Sequence, residues 1–396
     1  MKILVISQYY YPEQFLINDI APELVRRGHQ VTVLTGCPNY PKGEIYKGYE
    51  DGKRAYEVIE GVEVIRCPIT PRGKGKGHLL LNYISYMRLS HKKSHELDGK
   101  FDIVLLYQLT PISQAYPAVK FAKRNGVKLF CYCLDLAPLS GNSVAKFLKP
   151  MHSLYRNFSK WAYQGCDMIA VTSKDFIDYL HDLHGIPMSR LVYLPQHASE
   201  ELLHFDLTKH EMGDVTDFMF AGNIGEGARL DHVVYAVERL KKMGHCLRMH
   251  FVGDGSAKSM LETLVDRLDL QDCVIFHGRV PMSEMADMYR KADALIVTLR
   301  KGQITVPGKV QAYMATGKPI IGAMDGSGKK MIEEVGCGRC VEAEDVQGIV
   351  SIMKEYIENP EEFAACGEKE KEYFKKHFML SAYMDRLEEL LIKMVG

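Results

Sequence analysis

The chain has 396 residues, too many for one ordinary core and suited to two domains of about 150–200 residues each. Apolar residues make up 46% and charged residues 25%, which excludes a disordered chain, and no apolar run approaches the ~18 residues of a membrane-crossing helix. Net charge is zero, yet residues 1–205 carry 25 Lys+Arg against 19 Asp+Glu, leaving 25 against 31 for the remainder. A mildly basic first half suits an anionic membrane face or an anionic acceptor, or is ordinary surface variation. No nucleic-acid partner is expected.

The N-terminal run Lys2–Ser7 is strand-like and too short for a signal peptide, so a cytoplasmic protein is expected, at most peripheral to the inner membrane face. Ten cysteines are scattered singly, as in a reduced cytosolic enzyme, and the Cys337-Gly-Arg-Cys340 spacing reads as structural. Short β-branched runs alternate with helical patterns, which predicts parallel sheets built from βαβ units. The first series of strands is Lys2–Ser7, Gln30–Thr35, Val62–Pro68, Asp102–Tyr107, Lys128–Leu134, Met168–Thr172 and Leu191–Pro195. Asn18–Arg27 has helical spacing, and Gly28 stops it.

The Gly/Lys loop Arg72–Gly77 leads into His78–Lys93, where basic residues flank an apolar and aromatic stretch. That pattern fits a surface for lipid head groups, or a mobile loop before a core-facing helix. Phe205–Asp217 reads as a linker. Beyond it come strands Phe218–Ala221, Met249–Val252, Val274–His277, Ala294–Thr298 and Pro319–Ala323, with helices such as Leu230–Met243 and Lys258–Leu268. The last helix, Ser381–Val395, has an apolar stripe of Met384, Leu387, Leu391 and Val395 and is expected to pack back on the first domain. The expected domains are therefore 1–205, 206–378 and a returning helix 379–396. Two doubly wound α/β sheets in succession imply two lobes with ligands at the strand C-termini facing a cleft.

Four loops of the second series could hold a nucleotide. Ala221–Gly227 is glycine-rich and precedes Arg229, Gly253-Asp-Gly255 is a tight turn, and Gly278-Arg279-Val280 can offer backbone groups to a flat base. In the fourth, Gln303–Gly322, Pro307 suits a first helical turn, and the free amides at Gly308 and Lys309 favour a bound phosphate. Lys309 adds a full positive charge there. With neither a P-loop nor a His/Cys metal cluster in the sequence, a metal-free nucleotide site served by Lys309, Arg229, Arg300 and helix dipoles fits best. In the first half, Ser7–Glu13 and Thr35–Gly43 are polar and aromatic loops suited to sugars. Asp135 ends its strand, where it either positions a reacting sugar or caps the next turn.

The succession "FMFAGNIGEG", "HFVGDGSAKSMLETL", "VIFHGRVPMSEMADMYRKADALIVTL" and "VPGKVQAYMATGKPIIGA" resembles the C-terminal lobe of the family 4 glycosyltransferases, which have the two-lobed GT-B architecture. The N-terminal "YYPEQFLINDIAPELVRRGHQVTVLTGCPNYPKG" is similar to their N-acetylfucosamine-transferase-like subgroup of surface polysaccharide synthesis. The resemblance implies a retaining, metal-independent transfer of a sugar from a nucleotide-sugar donor, with uridine preferred, to a lipid-linked or oligosaccharide acceptor of capsule, O-antigen or exopolysaccharide. No cofactor is implied.

Carried over, Gly278, Arg279 and Val280 would hold the base. Gly222 and Asn223 would lie near the diphosphate, with Thr305, Val306, Pro307, Gly308 and Lys309 cradling it, and Gly253 belongs with the donor-binding residues. Asp135 would face the reacting carbon, and Asn18, Asn39 and Tyr40 would line the acceptor. The family's two glutamates are replaced by Ile304 and Ala312, its Arg and Lys of the first loop by Asn223 and Ala228, and the subgroup's Trp and Glu by Ala137 and Leu139. Those departures leave two alternatives, a catalytically silent nucleotide-sugar-binding partner of an active transferase and a GT-B UDP-sugar epimerase.

Overall fold

A computed structural model describes residues 1–97, 100–136, 149–209 and 215–396. The chain divides into two units, Met1–Pro195 with Tyr383–Gly396 and Gln196–Ala382. The boundaries thus fall at 195/196 and 382/383, not at 205/206 and 378/379. The reason is local packing: Leu202 and Leu207 are buried with Met288, Tyr313 and Phe378 in the second unit's core. The Ala198 N–H also donates to the Phe378 carbonyl at 2.9 Å. The segment expected as a linker is likewise engaged, since Lys209 Nζ lies 2.7 Å from both Asp217 and Asp293. Residues 210–214 of that segment lie outside the described residues.

The first unit contains strands β1 (Lys2–Ile6), β2 (Gln30–Gly36), β3 (Tyr56–Ile59), β4 (Val62–Cys67), β5 (Ile103–Gln108), β6 (Lys128–Cys133), β7 (Met168–Val171) and β8 (Leu191–Tyr193). They form one eight-stranded sheet in the order β3-β4-β2-β1-β5-β6-β7-β8. All neighbours are parallel except β3 and β4. Every residue of β5 is buried, as expected of a strand covered on both faces. Sequence periodicity missed β3, because an edge strand with exposed Tyr56 and Val58 lacks a continuous apolar run. The turn Glu60-Gly61, with φ of 48° and 82°, marks the hairpin.

Helices of this unit are α1 (Ile17–Arg26), α2 (Lys76–Ser94), α3 (Ala115–Asn125), α4 (Lys149–Gln164) and α5 (Asp175–His184). The second unit contributes α6 (Asp231–Lys242), α7 (Lys258–Arg267), α8 (Met285–Lys291), α9 (Gly308–Thr316), α10 (Gly326–Val335), α11 (Val346–Glu358) and α12 (Cys366–His377). The final helix, α13 (Leu380–Val395), carries the chain back to the first unit from Tyr383 onward. Its buried stripe is Tyr383, Met384, Leu387 and Leu391, whereas Val395, expected within that stripe, is exposed. Asp385 and Glu388 of α13 clamp Arg27 at 2.7 and 3.1 Å.

Helix α2 is inverted relative to an ordinary surface helix. Its buried residues are Asn82, Tyr86, Ser90 and Ser94, spaced four apart, while Leu80, Leu81 and Ile84 are 51%, 55% and 37% exposed. The apolar face expected against the core therefore points outward.

The second unit is a six-stranded parallel sheet of β9 (Thr216–Ala221), β10 (Leu247–Val252), β11 (Val274–Gly278), β12 (Ala294–Thr298), β13 (Ile320–Ala323) and β14 (Gly338–Val341). The strand order is β11-β10-β9-β12-β13-β14. Strand β14 starts directly after Cys337 and includes Cys340, and it is too short and polar to register as a strand by pattern. Both cysteines are buried free thiols.

Candidate functional site

In the second unit, β11, β10, β9 and β12 are successive neighbours, so the loops leaving their C-terminal ends form one edge. Chain order reverses between β9 and β12, the place where open α/β sheets bind ligands. Gly222 and Asn223 follow β9, Gly253 follows β10, Gly278 ends β11 with Arg279 and Val280 beyond it, and Thr305–Lys309 follow β12. At ~4.8 Å per strand, the edge from β11 to β12 spans roughly 14 Å, an extended-ligand length.

Two glycines here are obligatory. The Gly222 N–H donates to the Val252 carbonyl at 2.8 Å, and the Gly253 N–H donates to the Gly278 carbonyl at 2.7 Å. A Cβ on Gly253, at φ +132°, would fall on the Gly222 carbonyl oxygen. A Cβ on Gly222, at φ +141°, would overlap Cε of Lys309.

Lys309 therefore lies across Gly222, with Nζ 4.2 Å from the centroid of the Phe220 ring. Among the described residues that ring is its one ionic or aromatic partner, and no carboxylate pairs with it. Burial pushes the amine down to about 8 from its ordinary 10.5. Pro307 is the N-cap of α9 in extended conformation, one place before the first helical turn where it was expected, and no side chain caps the helix. The first helical amides, Gly308 and Lys309, thus open α9 with no acceptor among the described residues. Tyr313 fixes this end to the sheet: its buried hydroxyl accepts from the Ala221 N–H at 2.8 Å and donates to the Ala221 carbonyl at 3.1 Å. Pattern reading passed over Tyr313 and Phe220, since buried aromatics are common in any core.

Arg229 is engaged within the protein. Its guanidinium donates to Asp231 at 3.1 and 3.0 Å and to Glu344 at 2.7 Å, so its charge is already matched within the protein. Arg279 is exposed beside Asp254 at 3.6 Å, and Arg300 is exposed. Asn223 and Thr305 are exposed, Val306 half-buried. Lys309 alone among the expected cations is both sheltered and uncommitted.

In the first unit the loops after β1 and β2 meet through Glu13, which the sequence reading passed over. Glu13 is buried, and its Oε1 accepts the N–H groups of Asn39 at 2.8 Å and Tyr40 at 2.6 Å. Burial pushes its carboxyl up to about 7, and Oε2 has no hydrogen-bond partner among the described residues. Asn39, expected to touch acceptor, is fully buried: its Nδ2 donates to the Cys37 carbonyl and its Oδ1 accepts the Arg72 N–H, both at 3.0 Å. It shapes the loop from within. Tyr40 is 38% exposed, and half-buried Asn18 donates to the Glu13 carbonyl at 2.7 Å.

Asp135 accepts the Thr110 N–H at 3.1 Å through Oδ2, which ties it to the loop after β5; the chain after Leu136, where it would cap a turn, lies outside the described residues. Gln108 Nε2 reaches the Asp135 carbonyl at 2.9 Å, and Gln114 Oε1 accepts the Gln8 N–H at 3.3 Å. These glutamines bridge the ends of β1, β5 and β6. Ala137 and Leu139 lie outside the described residues.

Comparison with known proteins agrees with this architecture. The model "Glycosyltransferase Family 4" matches residues 15–196, and "Glycosyl transferases group 1" matches residues 207–373. The Escherichia coli protein assigned as colanic acid biosynthesis glycosyl transferase WcaI is 22% identical over 97% of this chain and 99% of its own. Sucrose-phosphate synthase from Thermosynechococcus elongatus superposes with TM-score 0.77 at 14% identity, covering 99% of this chain and 98% of that one. HepE of Anabaena, solved with UDP, gives 0.72 at 13% identity, covering 99% of both chains. Two Rossmann-like units, family models spanning both of them and a full-length relative make this chain a member of the family 4 glycosyltransferases of GT-B fold.

Proposed function

We propose that the enzyme transfers a sugar from a UDP-linked donor, with retention and without a metal, to a lipid-linked or oligosaccharide acceptor of surface polysaccharide synthesis. The donor belongs to the second unit and the acceptor to the first. The observation that carries this reading is Lys309, a sheltered ammonium without a carboxylate partner, set beside two open helix amides. As the bond from the anomeric carbon to the diphosphate breaks, its electron pair goes to the leaving oxygen. Lys309 and the α9 amides stabilise that developing charge. Support also comes from the relatives: WcaI is named for colanic acid biosynthesis, and HepE was solved with UDP and with UDP-glucose.

Calorimetric titration with UDP and GDP tests the donor. UDP should bind more tightly than GDP. Because Lys309 titrates near 8 when free and higher beside a diphosphate, binding at pH 9 should take up a proton, up to about one per site, and almost none at pH 6.5. Binding of neither nucleotide would remove the assignment. Incubation of the donor sugar with and without acceptor then separates transfer from epimerisation and from silent binding.

We further propose that α2 rests on an anionic bilayer surface. No helix among the described residues is long and apolar enough to cross a membrane. Outward Leu80, Leu81 and Ile84 lie within a stretch from residue 64 to 95 that contains Lys74, Lys76, Arg88, Lys92 and Lys93 and no acidic residue. The protein should sediment with phosphatidylserine-containing vesicles, not with pure phosphatidylcholine, and salt should release it. Leu80→Glu with Leu81→Glu should abolish sedimentation while leaving UDP affinity unchanged; equal sedimentation of that variant would refute the docking face.

A further inference from the structure

Arg72 lies in the loop before α2, yet its side chain does not extend into solvent as a lysine-rich loop would suggest. The guanidinium carbon sits 5.0 Å from the Tyr40 ring centroid, 5.9 Å from Tyr9 and 6.0 Å from Tyr83. Nη1 donates to the Tyr9 hydroxyl at 2.8 Å, and the Arg72 N–H is held by Asn39 at 3.0 Å. Tyr9, Phe15 and Tyr40 pack on one another, with centroids 5.0 to 5.8 Å apart. Every structural feature around the arginine thus fixes its position, but none neutralises it: among the described residues it has no carboxylate partner.

The other arginines of this unit that are similarly sheltered are matched. Arg66 is paired with Glu57, and Arg27 with Glu23, Asp385 and Glu388. A rigidly held guanidinium on a tyrosine platform, with four of its five N–H donors unspent by Tyr9, is preorganised for two-point binding of a carboxylate or phosphate. Of the rings beside it, Tyr40 is 38% exposed and offers a face on which a pyranose can stack, whereas Tyr9 is buried beneath.

Resting on the assignment of the acceptor to the first unit, we propose that Arg72 is a specificity-determining residue that binds an oxyanion carried by the acceptor. The group is a phosphate joining the acceptor sugar to its carrier, or a carboxylate on the sugar itself. Fork-like hydrogen bonds from Arg72 select the charged acceptor over a neutral one, while Tyr40, backed by buried Tyr9, holds the ring.

The test uses the full chain saturated with UDP, so that phosphate cannot report on the second unit. Glucose 1-phosphate, glucuronate and glucose are titrated separately, with binding read by ligand-observed NMR. At least one charged probe should bind about tenfold or more tighter than glucose, the worth of one charge-assisted hydrogen bond. Preference for glucose 1-phosphate identifies the phosphate source, and preference for glucuronate the carboxylate. Arg72→Gln should remove the preference and leave glucose binding unchanged, and Arg72→Lys, which keeps charge without the fork, should retain only part of it. Equal binding of all three probes by the wild-type protein overturns the proposal whether or not the Gln variant folds, and so does a preference undiminished in that variant. UDP binding is measured beforehand in its own titration, so loss of the donor assignment would be seen there and not confused with loss of this contrast.

Discussion

Lys309→Met should abolish sugar transfer and at the same time raise the melting temperature of the ligand-free enzyme. The loss of turnover should be about 10²–10³-fold, the usual cost of removing one preorganised group that stabilises leaving-group charge. The gain in stability follows from the same burial. The amine titrates at 10.5 when exposed and near 8 in the folded chain, because desolvation disfavours its charged form. Below pH 8 the amine is protonated in both states, so the whole penalty is present; between 8 and 10.5 the penalty fades. Wild-type stability should therefore rise with pH across that window, and the Met variant should lack this rise.

The Phe220 ring offsets part of the penalty, and the side chain retains some solvent. A net gain of about 1–2 kcal/mol, or roughly 3–6 °C, is expected at pH 7. Calorimetry of both proteins at pH 7 and pH 10, beside an assay of turnover, checks the pair of effects. A variant that loses activity and stability together would mean that Lys309 supports the fold and does not wait for an anion.

Gly253→Ala should be severely damaging to the second unit. The added carbon would occupy the place of the Gly222 carbonyl oxygen, and that carbonyl belongs to a residue whose N–H is bonded to Val252. Neither backbone can retreat without parting β9 from β10. A loss of about 3 kcal/mol or more is expected, together with loss of UDP binding. Gly244→Ala is the control. Gly244 also has positive φ, +88°, but nothing lies within 4 Å of an added Cβ. Its cost should be only the conformational one, about 1 kcal/mol, with nucleotide binding intact. Urea titrations of the two variants separate steric exclusion from backbone strain; similar midpoints would mean that close approach of the β9 and β10 ends contributes little.

Alternation of buried strands with amphipathic helices made two Rossmann-like folds legible in the sequence, because a parallel strand covered on both faces must be apolar almost throughout. β5 is the clear case, with all six residues buried. The edge strands β3 and β14 escaped because an edge has one neighbour and need not be apolar. The loops at the C-terminal edge of the second sheet were also legible, since a Gly that lets two backbones touch and a Pro-Gly-Lys turn at a helix start are properties of local sequence.

Which charges remain available was decided only in three dimensions. Arg229 and Lys309 look equivalent along the chain, yet Asp231 and Glu344 satisfy the first, and a phenylalanine face shelters the second. Glu13, Asn39 and Arg72 are 26 to 59 positions apart along the chain and become one hydrogen-bonded group only when the loops after β1, β2 and β4 come together. The apolar side of α2 was evident from residue types, but its outward direction was not, because Asn82 finds partners in Gln8 and the Thr70 carbonyl and Ser90 satisfies its hydroxyl on the Tyr86 carbonyl of its own helix. Periodicity records how much of a helix is apolar; which side is buried depends on what the neighbouring elements offer it.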